Sequence, residues 1–145
     1  MDRERAKHLY AIIMAGGTGT RLWPRSRQNT PKQMLDLVHP GKTMLQETYN
    51  RVRPLLEPGR ILVVASGLYR DMVLWQLPDL PPENFLEEPE GRGTAPAIGL
   101  ASIHLQHRDE EAIMAALAAD HVIPEEDAFR RALVTAAAHA HNGYL

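Results

Sequence analysis

Short runs of apolar residues alternate along the chain with longer stretches in which apolar positions recur every three or four residues. The short runs predict buried strands, and the longer stretches predict helices with one apolar face. Strands are predicted at residues 9–14, 60–66 and 84–87. Helices are predicted at residues 43–53, 68–77, 95–107 and 125–141. Segments with glycine and proline separate these elements, and the longest is a loop at residues 15–40.

Residues 112–118 are rich in alanine, which favours a helix on propensity alone. The segment lies between a predicted helix and the turn at Asp120, however, so we interpret it as a fourth buried strand. Strands and helices that alternate in this way predict a Rossmann-like α/β fold, a parallel sheet with flanking helices. Ligands of such folds bind at the carboxyl ends of the strands, where the loop after Met14, Glu88 and Asp120 should meet.

Three side chains in these elements carry further expectations. Thr94 is predicted to cap the third helix, with Pro96 in the first turn, where its missing N–H costs nothing. Trp75, in the second predicted helix, is expected in the core. Gln33, in the long loop, is a candidate for a polar contact at the site.

The segment after the first predicted strand is rich in glycine and is followed by cationic residues. It begins Gly16-Gly17-Thr18-Gly19, and Arg21 and Lys32 come after it. Glycine backbone N–H groups beside guanidinium and ammonium groups are suited to a polyphosphate. The dinucleotide fingerprint fails because position 22 is leucine, and the Walker A loop fails because position 36 is aspartate. The pattern predicts a nucleoside triphosphate loop of another kind.

Composition narrows the class of protein. The chain has 145 residues, 44% of them hydrophobic and 23% charged, and a net charge of −2. This balance argues against general binding to nucleic acid or to anionic membranes. The absence of cysteine excludes disulfides and thiolate metal sites. No apolar run approaches the roughly 20 residues of a membrane span, and the first residues do not resemble a signal peptide, so we expect a cytoplasmic location and no membrane partner.

Three blocks of sequence together resemble one family. The first is G-G-T-G-T-R-L-W-P at residues 16–24, followed by P-K-Q-M-L at 31–35. The second is E-P-E-G-R-G-T-A-P-A-I at 88–98, and the third is A-D-H-V-I at 119–123. The blocks are similar to the signature of the sugar-phosphate nucleotidyltransferases, in particular of the mannose-1-phosphate guanylyltransferase branch.

The resemblance implies a reaction and a set of site residues. GMP would pass from GTP to mannose 1-phosphate, giving GDP-mannose and pyrophosphate, with Mg²⁺ as cofactor. Arg21 and Lys32 would be the catalytic cations, and Asp120 would bind the metal. The residues implied in nucleotide binding are Ala15, Gly16, Gly17, Thr18, Gly19, Thr20, Glu88, Gly93 and Thr94.

The chain departs from the family pattern at two positions. Gly93 stands where the family usually has asparagine, which removes a side chain with donors and an acceptor and leaves base recognition open. Ala118 stands where a proline usually precedes the small residue before Asp-His.

The resemblance covers only the nucleotide-binding half of such an enzyme. We therefore expect residues 1–145 to be that half, without the sugar-binding half, and to have little activity alone. A related nucleotidyltransferase with another sugar or base, and a non-catalytic nucleotide-binding module, are the alternatives. A homo-oligomer is compatible with the sequence.

Overall fold

The computed structural model describes residues 6–17 and 23–144. It contains one parallel sheet of four strands in the order β3-β2-β1-β4. The strands are β1 (Leu9–Met14), β2 (Ile61–Ser66), β3 (Phe85–Glu88) and β4 (Ile113–Ala118). The α-helices are α1 (Met44–Val52), α2 (Arg70–Gln76), α3 (Thr94–Arg108) and α4 (Glu126–His141). The predicted α/β fold is confirmed, including the alanine-rich fourth strand.

Strand β1 lies in the interior of the sheet and pairs on both sides. Ala11 is in register with Ile61 of β2 and with Ala115 of β4. Every residue of β1 from Leu9 to Met14 has a partner in β4. Since both neighbours are parallel, the carboxyl ends of the strands open toward the same edge.

Alternate side chains of the strands enter two separate cores, one on each face of the sheet. On one face, Ile13 and Val63 pack with α1, α2 and α4, through residues such as Leu45. On the other face, Ile12 and Val64 pack against α3. Burial on both faces explains why β1 and β2 read as continuous apolar runs in the sequence.

Two details of the helices differ from the sequence-based expectations. Gly93, and not Thr94, is the N-cap of α3, and Thr94 is the first helical residue. The expectation that Trp75 lies in the core is wrong, because its side chain is 81% exposed. In α2, Val73 and Gln76 are buried. Trp75 is two positions from Val73, a rotation of roughly 200° about the helix axis, and therefore faces away from the sheet.

Within the described residues, no helix is both long and apolar enough to cross a membrane.

The end of the sheet opposite the carboxyl edge is held by one buried amide. Asn84 is 1% exposed, and its Nδ2 donates to the carbonyls of Pro58, Gly59 and Ile61 at 3.1, 3.2 and 2.8 Å. Its Oδ1 accepts from Arg108 Nη1 at 2.8 Å. One side chain therefore joins the entry of β2, the entry of β3 and the end of α3.

Replacing this amide should be costly. Asn84→Leu keeps the number and branching of the side-chain heavy atoms but leaves buried carbonyls without a donor, so we expect the free energy of unfolding to fall by about 1–3 kcal/mol in urea denaturation. Asn142→Leu is the matched control, because the exposed Asn142 amide, just after α4, has the Ala138 carbonyl as its one hydrogen-bond partner among the described residues. Its effect should stay within about 0.5 kcal/mol. Equal losses in the two variants would contradict the role given to Asn84.

Candidate functional site at the carboxyl edge of the sheet

A cavity of ≈ 310 Å³ opens at the carboxyl edge of the sheet. It lies where the chain leaves β1, β3 and β4, and it also touches the start of α3. The structure therefore brings together six of the residues predicted from the sequence: Gly16, Gly17, Glu88, Gly93, Thr94 and Asp120. Four others, Thr18, Gly19, Thr20 and Arg21, lie outside the described residues.

Ala15 supports the glycine loop from below. It is 1% exposed, its N–H donates to the Val64 carbonyl at 2.9 Å, and its own carbonyl accepts from Gln33. The Ala15 N–H is thus already used inside the protein. In the described part of the chain, no acceptor is hydrogen-bonded to the N–H of Gly16 or of Gly17, both of which line the cavity.

Gln33 fixes the course of the loop. Its side chain is 2% exposed, and its Nε2 donates to the carbonyls of Ala15 at 2.5 Å and of Gly17 at 3.2 Å. A short 3-10 helix, Lys32–Met34, carries it there. The polar contact described for Gln33 is made with the backbone of the loop. These two hydrogen bonds hold the backbone of the loop at Ala15 and Gly17.

The two described glycines of the loop differ in what a side chain at each position would meet. At Gly17 the backbone has φ +97°, a conformation that disfavours any side chain. At Gly16 an added Cβ would lie 2.8 Å from Oε2 of Glu88, so the end of that side chain would have to shift. The Glu88 carboxylate therefore stands directly against the loop. Burial raises the pKa of Glu88 above its ordinary value.

Lys32 and Asp120 form an ion pair at this edge. The Lys32 ammonium is bonded to Asp120 Oδ2, and the two side chains are 34% and 30% exposed. The hydrogen bond from Lys32 lowers the pKa of Asp120. The sequence suggested separate roles for these residues, one on phosphate and one on metal. The structure places them in contact: Asp120 lines the cavity, and Lys32 is bonded to its carboxylate.

The start of α3 contributes the opposite wall. Gly93 adopts φ +93° and ψ −170°, a region of backbone conformation that is essentially confined to glycine. An asparagine at this position would be strained in this conformation. Because Gly93 has no side chain to cap the helix, a ligand can approach the positive end of α3 directly.

The site fits a metal ion that a ligand brings with it. Among the described residues, no three His, Asp or Glu side chains lie close enough together to hold a metal by themselves. Mg²⁺ in nucleotide sites is commonly bound by one or two carboxylates, with phosphates and water completing its shell. Asp120 supplies one such carboxylate in this cavity.

Sequence reasoning missed two residues on α1. Thr48 and Arg51 contact the backbone on either side of Asp120. The signal was present, because Arg51 falls on the same helical face as Met44 and Thr48, where an apolar residue is expected. An arginine in that position indicates a buried polar partner.

Comparison with known proteins points to one family. The sequence profile of the nucleotidyl transferase family matches residues 10–145. A mannose-1-phosphate guanylyltransferase of Escherichia coli strain K12 is 45% identical over 141 residues, 94% of this chain and 29% of that protein. The xanthan biosynthesis protein XanB of Xanthomonas campestris pv. campestris is 44% identical over 136 residues, 92% of this chain and 29% of that protein. The chain thus spans less than a third of the length of these relatives.

A solved structure has the same fold. The crystal structure of a mannose-1-phosphate geranyltransferase from Thermus thermophilus superimposes with a TM-score of 0.75 at 38% sequence identity. The similarity covers 88% of this chain and 37% of that chain.

A side chain at position 93 should lower the stability of the fold, because of the backbone conformation of Gly93. Gly93→Ala should lower the free energy of unfolding by about 1–3 kcal/mol, because alanine is strained at this φ and ψ. Gly91→Ala is the matched control: Gly91 lines the same cavity, its φ is not in the left-handed region, and a Cβ there would meet no atom within 4 Å. Urea denaturation of both variants checks the difference, and equal stabilities would refute it.

The bonds of Gln33 predict a second difference. Gln33→Glu places acceptor oxygens against two carbonyls, so we expect a loss of about 1–3 kcal/mol or more in the free energy of unfolding. Gln28→Glu makes the same chemical change at an exposed position of the same loop and should cost less than about 0.5 kcal/mol. Should Gln33→Glu unfold at the same urea concentration as the control, the loop does not depend on this amide.

Proposed function

The chain belongs to the nucleotidyl transferase family, and we propose that it binds the Mg²⁺ complex of GTP at the carboxyl edge of its sheet. Within a polypeptide of its relatives' length, it would transfer GMP to mannose 1-phosphate, releasing pyrophosphate. One observation carries the proposal: the glycine loop, Glu88 and Asp120 line a single cavity, and Lys32 is paired with Asp120.

The proposed reaction requires placement and charge compensation more than covalent help from the protein. Phosphoryl-type transfer depends on holding the attacking and leaving oxygens in line and on neutralising the charge that develops. Gly16 and Gly17 line the cavity, and their N–H groups are proposed to hold the phosphates. The Lys32 ammonium is proposed to hold the α-phosphate or the attacking phosphate oxygen. Arg21 is proposed to neutralise the leaving pyrophosphate.

The two acidic residues of the cavity are proposed to bind the metal ion and the nucleoside. Asp120 would hold Mg²⁺, which when bound lowers the negative charge of the triphosphate. Glu88 is set against Gly16 and faces the same cavity, so it is proposed to accept a hydrogen bond from the ribose or the base. Gly93 and Thr94, at the start of α3, would form the wall beside the nucleoside.

Nucleotide binding to the 145-residue chain tests the site. We expect calorimetry with Mg²⁺ to give tighter binding of GTP than of ATP, UTP or dTTP. Lys32→Ala should weaken GTP binding about 10- to 100-fold, since a charge-assisted hydrogen bond contributes about 1.5–3 kcal/mol. Lys7→Ala, a change of the same kind before β1 at the opposite edge, should leave the affinity unchanged.

Transfer itself is tested in a chain of the relatives' length. Residues 10–145 are substituted for the matching segment of the Escherichia coli relative, and GDP-mannose formation is followed with and without Lys32→Ala. We expect turnover in the parent chimera and a loss of at least about 100-fold in the variant. GTP binding without turnover in the parent would favour a non-catalytic nucleotide-binding module, and undiminished turnover in Lys32→Ala would rule out the catalytic role of that lysine.

A further inference from the structure

Two neighbouring residues of α1 donate hydrogen bonds to the backbone on both sides of Asp120. Thr48 Oγ1 donates to the Ala119 carbonyl at 3.4 Å, and Arg51 Nη2 donates to the His121 carbonyl at 3.2 Å. The two donors are three positions apart, which puts them on the same face of the helix. The backbone that carries Asp120 is therefore held on either side by one rigid element.

Arg51 and Thr48 make these contacts from buried positions. Arg51 is 3% exposed and Thr48 is 1% exposed. Burial lowers the pKa of the Arg51 guanidinium, an expensive arrangement for a cation. The Nε of Arg51 has no hydrogen-bond partner among the described residues, and the Glu126 carboxylate lies 3.9 Å from it. An apolar residue would fill this space without the cost of burying a charge.

The same arginine joins the far end of the Asp120 loop to the fold. Its guanidinium lies 5.9 Å from the centre of the Phe129 ring of α4. Arg130 of α4 donates to the Arg51 carbonyl at 2.7 Å and pairs with Glu126 at 3.3 Å. The loop from β4 to α4 is thus fixed at both of its ends to α1.

We propose that Thr48 and Arg51 are positioning residues for Asp120. They hold its carboxylate where it meets Lys32 and, on the proposed function, where it meets the metal of the bound nucleotide. Neither residue lines the cavity, and both contact the backbone beside Asp120. We therefore expect Thr48 and Arg51 to affect nucleotide binding through the position of Asp120.

Amide hydrogen exchange of the 145-residue chain tests the positioning without a ligand. The Ala119 N–H donates to the Met14 carbonyl at 3.2 Å and reports opening of the loop, and the Ile12 N–H in β1 reports opening of the sheet. In Arg51→Met, we expect the ratio of the Ala119 rate to the Ile12 rate to rise about tenfold. In Thr48→Val, which keeps the shape of the side chain, it should rise about threefold.

Arg60→Met is the matched control. Arg60 also donates to a backbone carbonyl, that of Ala6 at 3.0 Å, but at the opposite edge of the sheet. Loss of the Arg60 guanidinium should not raise the ratio, because a weakening of the whole fold speeds Ile12 exchange at least as much as Ala119 exchange. A rise of the same size in Arg60→Met, or no rise in Thr48→Val, overturns the proposal. Thr48→Val decides the question if Arg51→Met does not fold.

A binding cycle separates positioning from a merely structural role. Mn²⁺·GTP serves as the probe, because Mn²⁺ accepts the same oxygen ligands as Mg²⁺. Arg51→Met should weaken its binding about tenfold in the wild-type background and have no further effect in Asp120→Asn. Equal weakening in both backgrounds overturns the proposal. If the wild-type chain does not bind Mn²⁺·GTP, the proposed function fails, and the exchange ratios alone decide the positioning role.

Discussion

The structure depends on the pairing of β1 with a parallel strand on each side. This pairing satisfies the backbone of β1 in the interior of the sheet, where no water could do so. It also determines the loops beyond the strands. The N–H of Ala15 continues the pairing with β2 through the Val64 carbonyl, and the N–H of Ala119 continues that of β4 through the Met14 carbonyl. The glycine loop and the Asp120 loop therefore begin side by side, one residue after the ladder ends.

The local pattern of the chain was sufficient for the fold because the strands are buried on both faces. Continuous apolar runs such as Leu9–Met14 are typical of the strands of a parallel sheet when helical stretches lie between them. For the alanine-rich β4, composition favoured a helix and the position between a helix and the Asp120 turn favoured a strand. The position gave the correct prediction. The pairing of β4 with β1 along its whole length outweighs the weak helical preference of alanine.

The errors concern features that pattern does not encode. Trp75 is large and aromatic, but its angular position on α2 directs it to solvent. Thr94 has a good capping side chain, yet the positive φ required at the junction with β3 moves the cap to Gly93. In both cases the residue type suggested one position and the backbone geometry determined another.

The location of the site could be predicted from the sequence, but the contacts within the site could not. Gly16, Glu88 and Asp120 could be placed together because each follows or ends a parallel strand. The contact of Lys32 with Asp120 joins segments that are distant in the sequence, and no local pattern specifies it. The same holds for Gln33 beneath the loop and for Arg51 behind Asp120. Such contacts arise from tertiary packing, which single-sequence periodicity does not describe.

On the proposed function, the Lys32–Asp120 contact affects which form of a nucleotide can enter. An uncomplexed triphosphate could take Lys32 as its counterion, but it would leave the Asp120 carboxylate facing phosphate oxygens of the same sign. A triphosphate that arrives with its divalent ion offers a partner to each member of the broken pair. On the proposed function, Lys32 exchanges Asp120 for a phosphate, and Asp120 exchanges Lys32 for the divalent ion. A ligand that carries phosphate alone must separate the two charges without giving Asp120 a new partner, so the cavity favours the complexed nucleotide.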